Sequence, residues 1–483
     1  CEHRGMRLRR CLPDRGRGKP VESGCWRVMC FLSGVTAVAF CVVVAGCAPR
    51  AEVPSTPPTQ AYPASFTGTV PCSDQADAMC ATLPVPLDYQ SPSGGSLKLA
   101  VRWSTTAAQG SPILVSLDGG PGLGDNRSML ESTVKALPEV AKSHRIAVIE
   151  TRGTGASALD CPVLQRQGDA AAAHVMPVPP EIVSGCGETL GEARQFYSTE
   201  DTVADLDVFR RALGVSTWSM MGVSYGTFQT QRYAITHPDN VTKLVLDSVV
   251  PQNGGDPSYA PALSESGRVM SEVCASYRCG FDPSADLVKI LSEGEDGVPI
   301  FNALIEAGSF DTDFEPVIEA IHEAAQGNPE PLHRVTAVPD RGLPSAAEFS
   351  TALQLATLCT DMRYPWGNSE TPVADRHPAA VAAIGALPPA QLLPFDSRTA
   401  LEQGAISNCE PWPVTPAASY SGELPSKPAL LINGGWDLLT PAIDARQQAQ
   451  RMPRSQLVIV PEWGHVAIAS PKGSRAISSF LLS

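Results

Sequence analysis

Three residues far apart in the chain have the types and order needed for nucleophilic acyl chemistry. Ser224 lies in Gly222-Val223-Ser224-Tyr225-Gly226, a Gly-x-Ser-x-Gly pattern. Before it, Ser216 to Met221 is short, apolar and β-prone; after it, Thr227 to His237 has no Gly or Pro and can run as a helix up to Pro238. Strand, sharp turn and helix are the context of a nucleophile elbow, in which two glycines leave room for a strained serine. A serine needs a base, and the base needs an orienting acid. Past residue 425 the histidine present is His465, which follows the strand-like Leu457 to Val460. Asp437 follows Ala429 to Asn433 in Gly434-Gly435-Trp436-Asp437. Asp444 and Glu462 are rival acids. Asp444 is expected inside a helix beginning near Pro441, and Glu462 is too close to His465 in sequence without a special loop. The oxyanion produced by serine attack needs backbone donors. Tyr225 N–H is one, and Gly120 N–H, with Gly119 next, is the expected second, from Asp118-Gly119-Gly120-Pro121-Gly122.

These residues must be held by a sheet. Ile113 to Leu117 is a continuous apolar run, as in a strand covered on both faces, and Arg145 to Glu150 repeats the pattern. A hairpin of Ala81 to Asp88 and Ser96 to Ser104 precedes them. Helices are expected over Ser128 to Lys142 and Thr199 to Leu213, with 162 to 195 loop-like. Thr242 to Val249 is a further strand. Alternating strands and helices at this spacing predict a parallel α/β sheet. Residues 252 to 425 carry helical segments, Asp286 to Glu293, Phe314 to Ala325 and Ala346 to Leu358, with many Pro and Gly breaks and no clear strand. Because strands resume at Ala429, this stretch reads as a mainly helical cap inserted between core strands. The expected division is a core over 67–251, a cap over 252–425 and a second core part over 426–483.

The first 50 residues hold nine Lys/Arg and three Asp/Glu, and the remainder holds 27 against 47, a net −20. An acidic body argues against nucleic acid or anionic lipid as a partner. Basic residues up to Arg27, then the apolar run Phe31 to Gly46, then Val44-Ala45-Gly46-Cys47, predict an export signal over 1–47 with Cys47 as the lipid-attachment site. Membrane attachment is then through that lipid, outside the cell. Residues 48–66, rich in Pro, Ala, Ser and Thr, read as a flexible tether. Eight cysteines remain: Cys72, Cys80, Cys161, Cys186, Cys274, Cys279, Cys359 and Cys409. An even number in an exported chain suggests disulfides. Nearest-neighbour pairing is one arrangement, and sequence does not fix connectivity. No Cys-x-x-Cys is present and histidines are few, so metal binding is the weaker reading.

Gly119-Gly120-Pro121-Gly122 with Gly-x-Ser-Tyr-Gly resembles the prolyl iminopeptidase and tripeptidyl aminopeptidase group of α/β-hydrolases. Arg152-Gly153-Thr154-Gly155, Leu246-Asp247-Ser248, Cys359-Thr360-Asp361, Cys409-Glu410-Pro411-Trp412 and Asp437-x-x-Thr440-Pro441 are similar to the secreted actinobacterial tripeptidyl aminopeptidases. The resemblance runs from about Cys72 to the end. It departs at Glu150, where Asp is common, and at Asp118, where a histidine is. It implies a serine exopeptidase, with no metal or cofactor, in which Ser224, Asp437 and His465 are nucleophile, acid and base and which removes short peptides from a free N-terminus. Such an enzyme must hold an ammonium group, and the resemblance points to Asp361 and Glu410. Two other readings stay open: a carboxylic-ester hydrolase with the same triad, and a binding protein with an idle hydrolase fold.

Overall fold

The computed structural model describes residues 30–31, 40–41, 62–167, 176–337, 344–418 and 420–483. In the N-terminal unit, Cys30–Phe31 and Phe40–Cys41 pair antiparallel. The rest of the export segment, Cys47 and residues 48–61 of the expected tether lie outside the described residues. The tether reading is corrected at its end. Phe66 stacks on Trp103 with ring centroids 5.3 Å apart, and Arg211 donates to Tyr62 O at 2.8 Å.

Nine strands form one sheet: β1 (Thr67–Pro71), β2 (Ala78–Pro86), β3 (Ser96–Ser104), β4 (Ile113–Leu117), β5 (Arg145–Ile149), β6 (Trp218–Val223), β7 (Val241–Asp247), β8 (Ala429–Gly434) and β9 (Ser455–Val460). Their order is β9-β8-β7-β6-β4-β5-β3-β2-β1. From β5 to β9 the pairing is parallel, while β1, β2 and β3 pair antiparallel. Successive residues of a strand face opposite sides. Ile113, Val115 and Leu117 therefore join one core with α2 (Thr199–Ala212) and α3 (Tyr225–Thr236), whereas Leu114 joins another with α1 (Asn126–Ala136) and the C-terminal Pro471–Leu482 helix. The chain leaves β4 in one direction and returns to its other side as β6. That reversal opens a crevice at the carboxyl ends of the strands, where ligands of such sheets bind.

Two expectations need correction. The helix foreseen over Ser128 to Lys142 is two, broken at Leu137 because Pro138 starts the second one at its first position. The described part of 162 to 195 is not all loop: Pro180–Leu190 is helical and packs Val183 and Cys186 into the interior.

Between β7 and β8 the described residues form a helical cap, including α4 (Ala260–Tyr277) and α5 (Thr351–Asp361), whose apolar core also takes in Val183 and Cys186 before β6 and Trp436 and Leu438 after β8. After β8 comes α6 (Ala442–Gln450), and the helix Pro471–Leu482 is α7. Tyr225, Phe228, Val250 and Leu358 form a small apolar seam between α3 and α5. The cysteines pair as Cys72–Cys80, Cys161–Cys186, Cys274–Cys279 and Cys359–Cys409, with Cα separations of 5.1, 5.9, 5.2 and 5.2 Å. These lie in the usual range for a disulfide.

Candidate active site

Ser224 stands between β6 and α3 with φ 55° and ψ −124°, a backbone conformation that is costly for a residue with a side chain. Both flanking glycines are required by close approach. A Cβ at Gly222 would lie 2.2 Å from Gly226 O, and one at Gly226 would lie 2.5 Å from Asp118 O. The turn is pinned by Ser224 N–H, which donates to Asp247 O at 2.8 Å. Against it runs the loop after β4, where a Cβ at Gly119 would come within 2.7 Å of the Ser224 Cβ. Gly119 N–H is already used by the Asp118 carboxylate at 2.8 Å. Gly120 N–H has no partner among the described residues, so it and Tyr225 N–H, at the open start of α3, are the donors available to an oxyanion.

His465 Nδ1 and Asp437 Oδ2 are 2.8 Å apart, and both side chains are nearly inaccessible to solvent. The Asp437 carboxylate is fixed by its own turn: Leu439 N–H and Thr440 N–H donate to Oδ1 at 3.0 and 2.9 Å, and Thr440 Oγ1 donates to Oδ2 at 2.8 Å. Burial alone would push the His465 imidazole down. The charge and hydrogen bond of Asp437, with smaller help from Asp247 and Asp118, outweigh burial and hold it above its usual range. The loop after His465 is tied to β7, since Ala467 and Ile468 N–H donate to the Asp247 carboxylate at 2.9 and 2.7 Å, and Val466 N–H donates to Ser248 Oγ at 2.9 Å. From the cap, Gly308 O accepts His465 N–H at 2.8 Å. Sequence reasoning gave Asp247, Ser248 and Thr440 no role. The signal was there, because all three stand in stretches that carry the family resemblance.

Ser224, Tyr225, Gly119, Gly120 and His465 line one cavity of about 840 Å³, in the range that holds a small ligand. The rival acids fall elsewhere. Asp444 sits in the first turn of α6 and lines the cavity, and His465 Nδ1 pairs with Asp437, with no hydrogen bond to Asp444 or Glu462. The arrangement can run acyl transfer: attack by serine oxygen, proton removal by an oriented imidazole, and an oxyanion met by two N–H groups.

Comparisons with known proteins agree with this fold. Residues 112–271 match the family described as alpha/beta hydrolase fold, and residues 394–483 match the family of TAP-like proteins. The tripeptidyl aminopeptidase of Streptomyces coelicolor is 26% identical over 459 residues, spanning 84% of this chain and 81% of that protein. Serine protease Hip1 of Mycobacterium tuberculosis is 27% identical over 209 residues, 39% of each chain. A probable proline iminopeptidase of S. coelicolor is 31% identical over 145 residues, 29% of this chain and 43% of that one. This chain is a TAP-like α/β-hydrolase.

Within this TAP-like hydrolase several motif residues are structural. Arg152 is 1% exposed and grips the Asp205 carboxylate with two hydrogen bonds of 2.8 and 2.7 Å, while its remaining N–H groups donate to Leu87, Phe196 and Pro86 carbonyls. The two acids assigned to an incoming ammonium are not in the cavity wall. Asp361 is 2% exposed and lies behind Tyr225: Thr199 N–H and the Tyr225 hydroxyl donate to it at 2.9 and 2.7 Å, and the Tyr420 hydroxyl donates to its other oxygen. Glu410 pairs with His377 at 3.0 Å on an exposed face. Asp361 is thus a buried acceptor that locks the cap to the elbow helix, and burial pushes its carboxyl up to about 6. The acids that do line the cavity are Asp118, Asp256, Glu306, Glu348 and Asp444. Asp444 is pushed up to about 7, first by burial and then by the charges of Asp256, Asp437 and Glu265.

Proposed function

We propose that this serine peptidase releases short peptides, tripeptides foremost, from the free N-termini of peptides or proteins. Ser224 attacks the scissile carbonyl, His465 takes its proton and later gives it to the leaving amine, and Asp437 holds the imidazole in the productive tautomer. Tyr225 and Gly120 N–H hold the oxyanion. Water then hydrolyses the acyl-enzyme by the same route.

One observation carries the preference for a free amino terminus. Among the described residues, His465 apart, the charged groups that line the cavity are all acids, with no Lys or Arg. Asp256 and Asp444 both line the cavity, and after burial the charge of Asp256 is the next cause that raises the Asp444 carboxyl. A substrate ammonium relieves that repulsion and gains charge-assisted hydrogen bonds in a partly dry site. Export, and lipid attachment at Cys47, belong to the same proposal; the four cysteine pairs support it, because disulfides persist in oxidising compartments.

The test is a panel of coumarylamides of one, two and three residues with free or acetylated N-termini, alongside a simple acyl ester. The free tripeptide is expected to be cut fastest, and acetylation to lower kcat/KM by about tenfold or more, near the strength of a hydrogen bond to a charged group. Asp444→Asn and Asp256→Asn should shrink that ratio. Equal turnover of free, acetylated and ester substrates would instead identify a carboxylic-ester hydrolase.

A further inference from the structure

The loop that carries His465 is strained. Glu462 and Val466, neither of them glycine, have φ of 53° and 62°, and a β-branched residue is costly in that region. Such a backbone persists only where its surroundings hold it. After the histidine the core does so, through the bonds from Val466, Ala467 and Ile468 N–H to Ser248 and Asp247. Before it, Trp463 O accepts Trp436 N–H at 2.9 Å from the loop that carries Asp437. At His465 itself the backbone partner comes from the cap: Gly308 O, at 2.8 Å.

The cap is wound so as to present that carbonyl. After the helix Gly297–Glu306 the chain makes one wider turn, Ala307–Asp311. Thr312 and Asp313 N–H, the donors that a regular or a wide turn would bring to Gly308 O, both go to Ala307 O. Gly308 O is left for His465. The contact has no slack. A Cβ at Gly464 would lie 1.6 Å from Gly308 O, and one at Gly308 would lie 2.8 Å from Phe314 Cζ, whose ring packs edge-on against Trp436. Asp437 is anchored separately, by Leu439 and Thr440. Two groups anchored apart keep a 2.8 Å hydrogen bond only if both anchors are accurate to about half an ångström.

We propose that Gly308 is a positioning residue: its carbonyl, held in the cap, sets the backbone of His465 and so where the imidazole stands against Asp437. The inference rests on His465 being the base and not on the identity of the substrate. It makes the cap part of the catalytic alignment as well as a wall, since Ile305, Glu306 and Ser309 of the same stretch line the cavity.

The experiment measures Gly308→Ala, whose added methyl must push the turn off Phe314 and Trp436. Phe314→Leu is the second variant should alanine fail to fold, because it removes the ring behind the turn without adding an atom. Ile384→Ala, in the buried cap core but outside this turn, controls for lost stability. Substrates are p-nitrophenyl acetate, too small to need the cap wall, and a tripeptidyl coumarylamide. The expected result is a fall of about tenfold in kcat on both substrates, with KM within about twofold of wild type. The acid limb of kcat should move toward 6.5, because the imidazole has lost part of its bond to Asp437. Ile384→Ala should leave kcat and the limb in place at an equal fall in melting temperature. A loss on the peptide alone would make the turn a substrate wall, and a loss matched by Ile384→Ala would make it a fold contact. Either result overturns the proposal, and so does a limb that stays where wild type has it. Wild-type turnover by His465→Gln would overturn the triad itself, and that variant is measured first.

Discussion

The carboxyl ends of the strands and the cap above them both contribute to one cavity, yet they hold their polar residues by different means. On the strand side, position follows from topology. Ser224, Asp437 and His465 each come within a few residues of the end of β6, β8 or β9, and parallel pairing brings those ends together. Glycines at 119, 222 and 226 then admit backbone approaches that no other residue allows. On the cap side nothing local decides whether an acid is a ligand or an anchor. Asp361 and Glu410 stand next to cysteines that pair with each other, and yet one is turned to hydroxyls behind the site and the other to His377 at the surface. A charge near a catalytic cleft carries meaning only once its hydrogen-bond partners are known.

The sharpest break between the two regions is catalytic. Ser224→Ala should abolish turnover by several orders of magnitude with folding intact, and Asp437→Asn should cost about 10³- to 10⁴-fold, as expected when an imidazole loses its orienting acid. Fluorophosphonate labelling followed by peptide mapping checks the nucleophile. If Asp444→Asn were as damaging on ester substrates as Asp437→Asn, the strand-end assignment of the acid would fall. On the cap side, Asp361→Asn should leave labelling at Ser224 in place while lowering thermal stability by about 1–3 kcal/mol, because the amide nitrogen cannot accept the hydroxyl or N–H that an oxygen did. The sign with pH is fixed by the raised carboxyl. The stability tied to its protonation is fully present below the ordinary value of 3.8 and is lost as pH rises through about 6. A melting curve for Asp361→Asn equal to wild type from pH 4 to 8 would remove the anchor role.

The same contrast explains what could be read from the chain alone. β3 and β4 are bounded as their apolar pattern suggests, and the elbow, the acid and the base stand out because a strand, a sharp turn and a helix have few alternatives. Helix α4 was hidden by Gly267 and its serines. The glycine is there for packing, since a Cβ would press on Pro394 Cδ at 3.1 Å and Ser284 Oγ at 3.2 Å. Val373–Gly385 was hidden by Pro378, which stands inside the helix, past the first turn where proline is ordinarily tolerated. Gly308 and Asp256 could not be found at all from sequence, because their place depends on how cap helices pack, and that packing is set by apolar contacts distant in the chain.

The smallest expected effect concerns the tuning of the base, where the two regions meet. As general base, His465 must be neutral, so kcat/KM on the ester substrate should fall as pH is lowered through its folded pKa. That acid limb should lie above the ordinary histidine value of 6.5, since the Asp437 charge outweighs burial. Stability runs the other way: the part contributed by this histidine is fully present below 6.5 and is lost as pH rises through the folded value. Three carboxyls raise the pKa of the ring. Asp437 orients it and Asp247 holds its loop, so neither can be changed without disturbing geometry. Asp118 can be, because Asn keeps the oxygen that accepts Gly119 N–H. Burial pushes the Asp118 carboxyl up, while Gly119 N–H and the His465 imidazolium favour its charged form. Asp118→Asn should therefore move the acid limb of the pH–rate profile toward lower pH, with the plateau rate nearly unchanged. An unmoved limb would show that Asp118 is neutral there and that the raised pKa of His465 owes nothing to the loop after β4.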